Sequence, residues 1–136
     1  MILTDAGPLV ALFDRVDKAH GRCVETLKKI DEPIATTVPI LTEAFHLLGS
    51  ASAGAAALME FITEGGLQVI FLDDEALARS FDLMVQYADA PMDFADASLV
   101  ATAESLSLQK VFTIDRGDFA IYRIRRGHRS IAFEII

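Results

Sequence analysis

Four acidic residues stand at positions where a carboxylate could do chemistry rather than solvate a surface. Asp5 and Asp115 each directly follow a short apolar segment rich in β-branched residues. Glu43 and Asp96 lie in segments with helical periodicity, and each shares its stripe with apolar residues about one turn away. A carboxylate that only caps a helix should point at water. This placement therefore indicates that Glu43 and Asp96 face inward.

Carboxylates gathered in a partly desolvated pocket require a positive counter-charge. Two of them 4 Å apart repel by roughly 4 kcal/mol at an effective dielectric near 20. Hard oxygen donors select Mg²⁺ or Mn²⁺ over zinc, and the three histidines have no metal-ligand spacing with one another or with the one cysteine. One or two such ions suit the hydrolysis of a phosphodiester bond. The spacing alone leaves a second interpretation open, in which any of the four acids is a cap or a turn residue.

Short apolar strands alternate with helical segments along the chain, which is typical of an α/β domain with a mainly parallel sheet. The carboxyl ends of such strands form one edge, where ligands bind. Asp5 and Asp115 belong to this edge, and so do the helix starts near Glu43 and Asp96. The predicted strands are MILT, PIATT, LQVIFL, KVFTI and SIAFEII, and the predicted helices are 8–13, 18–30, 39–48, 52–63, 75–88 and 94–106.

Length and composition restrict the class of protein. The 136 residues, of which 52 % are hydrophobic, suffice for one domain with a sizeable core. The single cysteine excludes an internal disulfide framework, and no secretory leader pattern opens the chain, so a cytoplasmic location is expected. The longest apolar runs are far shorter than a membrane span, so we expect a soluble protein without membrane contact.

The charge distribution matters more than the net charge of -8. An acidic protein is a poor non-specific binder of nucleic acid, because Lys and Arg make the phosphate contacts. However, five of the twelve basic residues lie in one short segment near the C-terminus. That segment is either a solvated surface or a basic edge that binds RNA phosphates. Its members are Arg116, Arg123, Arg125, Arg126 and Arg129.

Other enzyme classes with acidic pockets fit less well. Asp73 and Asp74 follow the third predicted strand but directly precede a helix, so we interpret them as caps. A phosphorylatable receiver domain needs an acidic pair after its first strand and a lysine after a late one, whereas Asp5 stands alone and Lys110 precedes its strand. A phosphatase with an aspartyl nucleophile usually carries a second acid two residues on, where Gly7 stands. No P-loop or GxGxxG motif occurs.

Four segments, taken in order, carry a likeness that spans the whole chain. They are ILTDAGPLVALFD, TTVPILTEAFHLL, YADAPMDFADASLVATAE and VFTIDRGDFAIYR. In these segments the chain resembles the PIN-domain nucleases, and within them the VapC-type toxins of bacterial toxin–antitoxin pairs. The resemblance implies a single PIN domain over residues 1–136, folded as a three-layer α/β/α sandwich with a mainly parallel five-stranded sheet. It also implies a Mg²⁺- or Mn²⁺-dependent endoribonuclease that cleaves RNA, forms a homodimer and is neutralised by a protein antitoxin.

The resemblance also assigns the site. The family's acidic residues, which hold the metal and carry out catalysis, fall on Asp5, Glu43, Asp96 and Asp115. Asp93 and Asp118 are outer members of the set. Thr113 is placed to orient a carboxylate or a bound water, although a β-branched residue in a strand needs no such role.

Two sequence features and the choice between related functions remain open. Many relatives carry Ser or Thr directly after the first aspartate, where this chain has Ala6, so we expect weaker metal binding. The segment SASAGAAALMEFITEGG is rich in small residues, which permit close approach of another helix, most often an internal one. The alternatives to a toxin are a PIN-fold RNA-processing nuclease without an antitoxin and a module that binds RNA or protein without catalysis.

Overall fold

A computed structural model describes residues 1–136 as a central parallel sheet with helices on both faces, followed by a small hairpin. None of the helices is both long and apolar enough to cross a bilayer. The strands are β1 (Ile2–Thr4), β2 (Ile34–Thr37), β3 (Gln68–Ile70), β4 (Lys110–Phe112), β5 (Arg123–Arg126), β6 (Arg129–Ala132) and β7 (Glu134–Ile135). The helices are α1 (Ala6–Phe13), α2 (His20–Lys29), α3 (Val38–Leu48), α4 (Ala53–Thr63), α5 (Asp74–Gln86), α6 (Phe94–Ser105) and α7 (Arg116–Ile121).

The main sheet has the strand order β3-β2-β1-β4-β7, and every neighbouring pair is parallel. Alternating side chains of its central strands point to opposite faces. Ile2 and Phe112 join a small apolar cluster with residues of α1 and α2. Leu3 and Val111 join the larger core on the other face, to which α6 contributes most of its length. The three-layer α/β/α sandwich with a mainly parallel five-stranded sheet is thereby confirmed.

The structure differs from the sequence prediction after Asp115. Helix α7 was not predicted, and the segment 130–136 is not one strand. Its first three residues, 130–132, belong to β6, which pairs antiparallel with β5, and only β7 joins the main sheet beside β4. Gly127 has φ +62° at the first central position of the two-residue turn between β5 and β6, as a type II′ turn requires. These elements are short and largely polar, so they show little of the apolar periodicity on which the prediction relied.

The small residues of α4 allow a close internal approach. A Cβ at Gly54 would lie 2.5 Å from the backbone oxygen of Phe13, at the end of α1, and 3.1 Å from a methyl carbon of Leu48. The backbone at the end of α1 therefore packs directly against the first turn of α4. The partner helix for this segment is internal, as predicted.

Gly54→Ala should lower the free energy of unfolding by about 1–3 kcal/mol, because the new methyl group meets backbone that cannot turn aside. Gly21→Ala is a matched control at the second position of α2, where a Cβ meets nothing within 4 Å. There the same change should leave stability unchanged or raise it by up to about 1 kcal/mol. Urea unfolding of both variants measures the difference, and equal stabilities would argue against the tight α1–α4 contact.

Candidate functional site

The strand order places a crevice between β1 and β4. The chain runs from β1 outward through β2 to β3, and β4 then lies on the other side of β1. In an open α/β sheet, the carboxyl ends of the strands at such a switch point form a natural ligand site. Asp5 directly follows β1, and Asp115 lies three residues beyond β4. Both residues therefore stand at this crevice.

A cavity of about 940 Å³ opens there and is dominated by negative charge. Its walls include two cationic side chains, Lys18 and Arg22, and seven acidic ones. None of the seven makes an ion pair. The acids are Asp5, Asp17, Glu43, Asp93, Asp96, Asp115 and Asp118. The structure thus brings all four predicted catalytic acids and both outer acids to one cavity.

Asp5 is the most enclosed of these acids, with 9 % of its surface exposed. Its Oδ1 accepts a hydrogen bond from the backbone N–H of Ala6 (2.8 Å), and its Oδ2 accepts one from the Thr113 hydroxyl (3.0 Å). Burial raises the pKa of the Asp5 carboxyl, although both hydrogen bonds oppose the rise. The hydroxyl that holds Asp5 therefore comes from β4's end rather than from the next residue in the chain.

Thr113 connects two of the acids. Besides donating to Asp5, its oxygen accepts a hydrogen bond from the backbone N–H of Asp115 (3.0 Å). Asp115 in turn begins α7, and its Oδ1 accepts from the backbone N–H of Asp118 at a long 3.4 Å. Burial raises the pKa of Asp118, and the hydrogen-bonded carboxyl of Asp115 raises it further. One threonine hydroxyl thus fixes the relative positions of the β1 and β4 acids.

Asp93 and Asp96 open α6 but behave differently. Asp93 is the N-cap, and its Oδ1 accepts from the backbone N–H of Asp96 (2.8 Å). The Asp96 carboxylate does not return a bond to the cap. Instead its Oδ2 accepts from the Tyr122 hydroxyl (2.8 Å). Asp96 is half-buried and lines the cavity, so its side chain faces inward as the helical spacing predicted.

The surroundings of Asp96 strongly disfavour its charged form. Burial, together with the nearby charges of Asp93 and Asp5, raises the pKa of Asp96 from 3.8 to about 7, against the opposing effect of the Tyr122 bond. Burial and the bond to Asp96 also raise the pKa of Tyr122, which keeps its phenol protonated as the donor. Glu43, half-buried on α3, has a pKa raised by burial and by the charges of Asp93 and Asp5.

The carboxylates surround the cavity without forming a closed ligand set. As the side chains stand, no three carboxylate, imidazole or thiol groups lie close enough together to hold a metal ion. No cation lies within ion-pairing distance of any of these acids, so no ion pair offsets their mutual repulsion. The donor set is nevertheless all oxygen, the kind that Mg²⁺ and Mn²⁺ prefer.

The predicted basic segment lies mostly elsewhere. Strand β5 packs along α6, and the backbone N–H of Arg125 donates to Glu104 (3.0 Å), eight residues and about 12 Å along α6 from Asp96. A guanidinium nitrogen of Arg126 donates to the Leu108 oxygen (3.0 Å). None of the five predicted arginines lines the cavity, and they are Arg116, Arg123, Arg125, Arg126 and Arg129.

Four residues at the site escaped the sequence reasoning: Asp17, Lys18, Arg22 and Tyr122. Asp17 and Lys18, just before α2, and Arg22, on α2, reach the cavity because α2 packs against α1, which no local motif reveals. Tyr122 meets Asp96 across 26 residues of chain. Its only sequence signal is a tyrosine among apolar and basic residues, and that signal does not identify a partner. Asp73, by contrast, caps α5 as interpreted and lies away from the cavity. Asp74 is not a second cap but the first residue of that helix.

Solved structures share this fold at low sequence identity. VapC20 of Mycobacterium tuberculosis, a toxin that cleaves the sarcin-ricin loop, superposes with a TM-score of 0.74 and 18 % identity, over 82 % of this chain and 87 % of that one. A toxin–antitoxin complex from Klebsiella pneumoniae gives 0.68 and 21 %, over 89 % and 92 %. DNA-bound VapBC from Salmonella typhimurium gives 0.58 and 16 %, over 100 % and 98 %.

Sequence comparison supplies the family. A search of curated proteins gives no match. A family model described as the PIN domain matches residues 2–126, which is nearly the whole chain and includes every acid at the cavity. The chain belongs to the PIN-domain family.

Proposed function

We propose that this protein is a divalent-metal-dependent endoribonuclease that acts in the cytoplasm as the toxin of a type II toxin–antitoxin pair. The observation that carries the proposal is the cavity at the carboxyl ends of β1 and β4. There, acids from four separate elements converge without a single ion pair, in a chain of the PIN-domain family. The fold shared with VapC toxins supports the toxin assignment.

The residues present fit a divalent ion. The acids of the cavity offer carboxylate oxygens as donors, and none of them is ion-paired with Lys18 or Arg22, the two cations of the cavity wall. We assign the holding of Mg²⁺ or Mn²⁺ to Asp5, Glu43, Asp96 and Asp115, with Asp93 and Asp118 behind them. When bound, the metal would activate a water and stabilise charge on the scissile phosphate.

The protein's own groups would prepare this site. Thr113 holds Asp5 in place through its hydroxyl, and the backbone N–H of Ala6 fixes the other oxygen of the same carboxylate. The cations Lys18 and Arg22, which line the same cavity, would attract the phosphates that flank the cleaved bond. The hairpin arginines remain a prediction for more distant parts of the RNA.

Two alternatives are separated by a metal titration. A PIN-fold module without catalysis should bind RNA in EDTA and never cut it, whereas the proposed nuclease should cut only with Mg²⁺ or Mn²⁺. An RNA-processing nuclease without an antitoxin would show the same metal dependence but no partner.

The family resemblance also leads us to propose a homodimer, which the molar mass from light scattering tests directly.

An antitoxin should bind the helices beside the cavity. Val16, Leu47 and Met59 are 91 %, 59 % and 50 % exposed, and they lie after α1, on α3 and on α4, helices that pack together. Leu47 also lines the acidic cavity. This surface fits an amphipathic antitoxin segment with a basic side chain reaching the acids.

We expect the protein to co-purify with the product of a neighbouring reading frame, and we expect Leu47→Glu to abolish most of that co-purification. A gene without an interacting neighbour would favour the RNA-processing role.

Asp5→Asn should reduce the rate of RNA cleavage at least about a hundredfold. Mutating a residue that only hydrogen-bonds a metal ligand already costs about 10- to 100-fold in metal affinity or activity, and Asp5 is proposed to be a ligand itself. The amide can still accept from Ala6, so the fold should persist. Glu43→Gln, Asp96→Asn and Asp115→Asn should behave similarly. Asp73→Asn is the matched control, because Asp73 is also an N-cap after a strand and asparagine caps equally well. Cleavage of a labelled RNA in Mg²⁺ measures the rates, and a fully active Asp5→Asn protein would refute the site.

Asp96→Asn should stabilise the metal-free protein. The folded pKa of Asp96, about 7, exceeds its unfolded value, so its charge destabilises the fold increasingly as pH rises toward 7. Removing the charge should raise the free energy of unfolding in EDTA at pH 8 by roughly 1–2 kcal/mol. This is less than the free energy that corresponds to the whole rise in pKa, because the side chain is only partly buried. The gain should shrink as pH falls to 5. Melting curves measure both effects.

The same variant tests metal binding by Asp96. Free metal at about a hundred times its dissociation constant should stabilise the wild type by roughly 2.7 kcal/mol. That stabilisation should be much smaller for Asp96→Asn. An identical Mn²⁺-induced rise in melting temperature for the two proteins would exclude Asp96 as a ligand.

A further inference from the structure

We propose that Tyr122 is a positioning residue of the metal site: its hydroxyl fixes the Asp96 carboxylate so that the opposite oxygen is presented to the cavity. This inference rests on the proposed function. The Tyr122 hydroxyl donates to Oδ2 of Asp96 at 2.8 Å. Oδ1 accepts no hydrogen bond from the protein and is not sealed from solvent. One oxygen is therefore held, and the other is free to bind.

The Tyr122 side chain cannot swing away from this position. It is completely buried. Its ring meets those of Tyr87 and Phe119 edge-on, with centroid distances of 5.4 and 5.3 Å. Its own backbone N–H donates to the backbone oxygen of Asp118 (3.1 Å). Ring and backbone are thus fixed from several sides.

Asp96 is equally constrained at its backbone. Its N–H is bound by the Asp93 carboxylate, so the first turn of α6 sets where the side chain begins. The hydroxyl then sets where the carboxylate ends. Carboxylates that bind metals are commonly held by such a hydrogen bond from behind.

The neutral nature of the donor is the main chemical argument. A lysine or arginine in the place of Tyr122 would also orient Asp96, but it would neutralise the charge that a divalent ion needs. A phenol orients the carboxylate and leaves its negative charge available. Thr113 stands in the same relation to Asp5, with a hydroxyl donating at 3.0 Å. Two acids of the site are therefore held by hydroxyl groups, and none by a cation.

The experiment compares Tyr122→Phe with Tyr87→Phe, which removes the other tyrosine hydroxyl of the same aromatic cluster but none that touches an acid. Mn²⁺ alone is the probe, and titration calorimetry gives its affinity. We expect Tyr122→Phe to weaken Mn²⁺ binding about 10- to 100-fold and Tyr87→Phe to change it less than about twofold. In an Asp96→Asn background, Tyr122→Phe should have no further effect, because its action runs through Asp96. Equal affinities of the two phenylalanine variants would overturn the inference.

A second measurement is made on the wild-type sequence and needs a variant only to assign its signals. The chain contains two tyrosines, so incorporation of 3-fluorotyrosine gives two ¹⁹F NMR signals, which Tyr87→Phe assigns. Saturating Mg²⁺ should shift the signal of residue 122 clearly more than that of residue 87. If the protein binds Mg²⁺ but the signal of residue 122 does not shift, the proposed role of Tyr122 is wrong and the proposed function is unaffected. A wild-type protein that neither binds Mn²⁺ nor cuts RNA contradicts the proposed function itself.

Discussion

The carboxyl edge of the sheet depends on keeping like charges together with no cation bound directly to them. Hydrogen-bond donors of the fold perform that task. Asp5, Asp93 and Asp115 are the N-caps of α1, α6 and α7, and each accepts a backbone N–H of its helix. The N-terminus of a helix also carries partial positive charge. The helix starts that meet at the cavity therefore reduce the repulsion without an ion pair, while burial and the remaining repulsion keep the pKa values of Asp5 and Asp96 raised.

This arrangement removes the opposition between capping and binding that the sequence posed. A carboxylate that caps a helix uses one or two of its lone pairs and keeps the others. Asp5 caps α1 and still lines the cavity. Asp93 and Asp96 divide the work within one turn of α6, since Asp93 satisfies the helix N–H group while Asp96 turns toward Tyr122. Spacing along the chain predicts which acid faces inward, but the cap itself does not reveal whether its carboxylate also serves a site.

The predictability of the fold and of the site follows from the range of the interactions involved. Strands β1 to β4 and helices α1 to α6 were predicted because apolar periodicity and first-turn prolines are local. The convergence of Asp5 and Asp115 followed from a topological rule for parallel sheets. The hairpin was missed because Ile124 is the one fully buried residue of β5, too few for a visible period. The contacts of Thr113 with Asp5 and of Tyr122 with Asp96 span 108 and 26 residues, and no local pattern specifies them.

The missed hairpin explains how Tyr122 comes to lie beside Asp96. Tyr122 directly precedes β5, and β5 is held along α6 by bonds at its far end. Glu104, on α6, accepts both the guanidinium of Arg79 and the backbone N–H of Arg125. These contacts fix the register of β5 against α6, so the residue three positions before Arg125 is brought level with the first turn of that helix. A segment whose arginines line no part of the cavity thus contributes to the site through alignment.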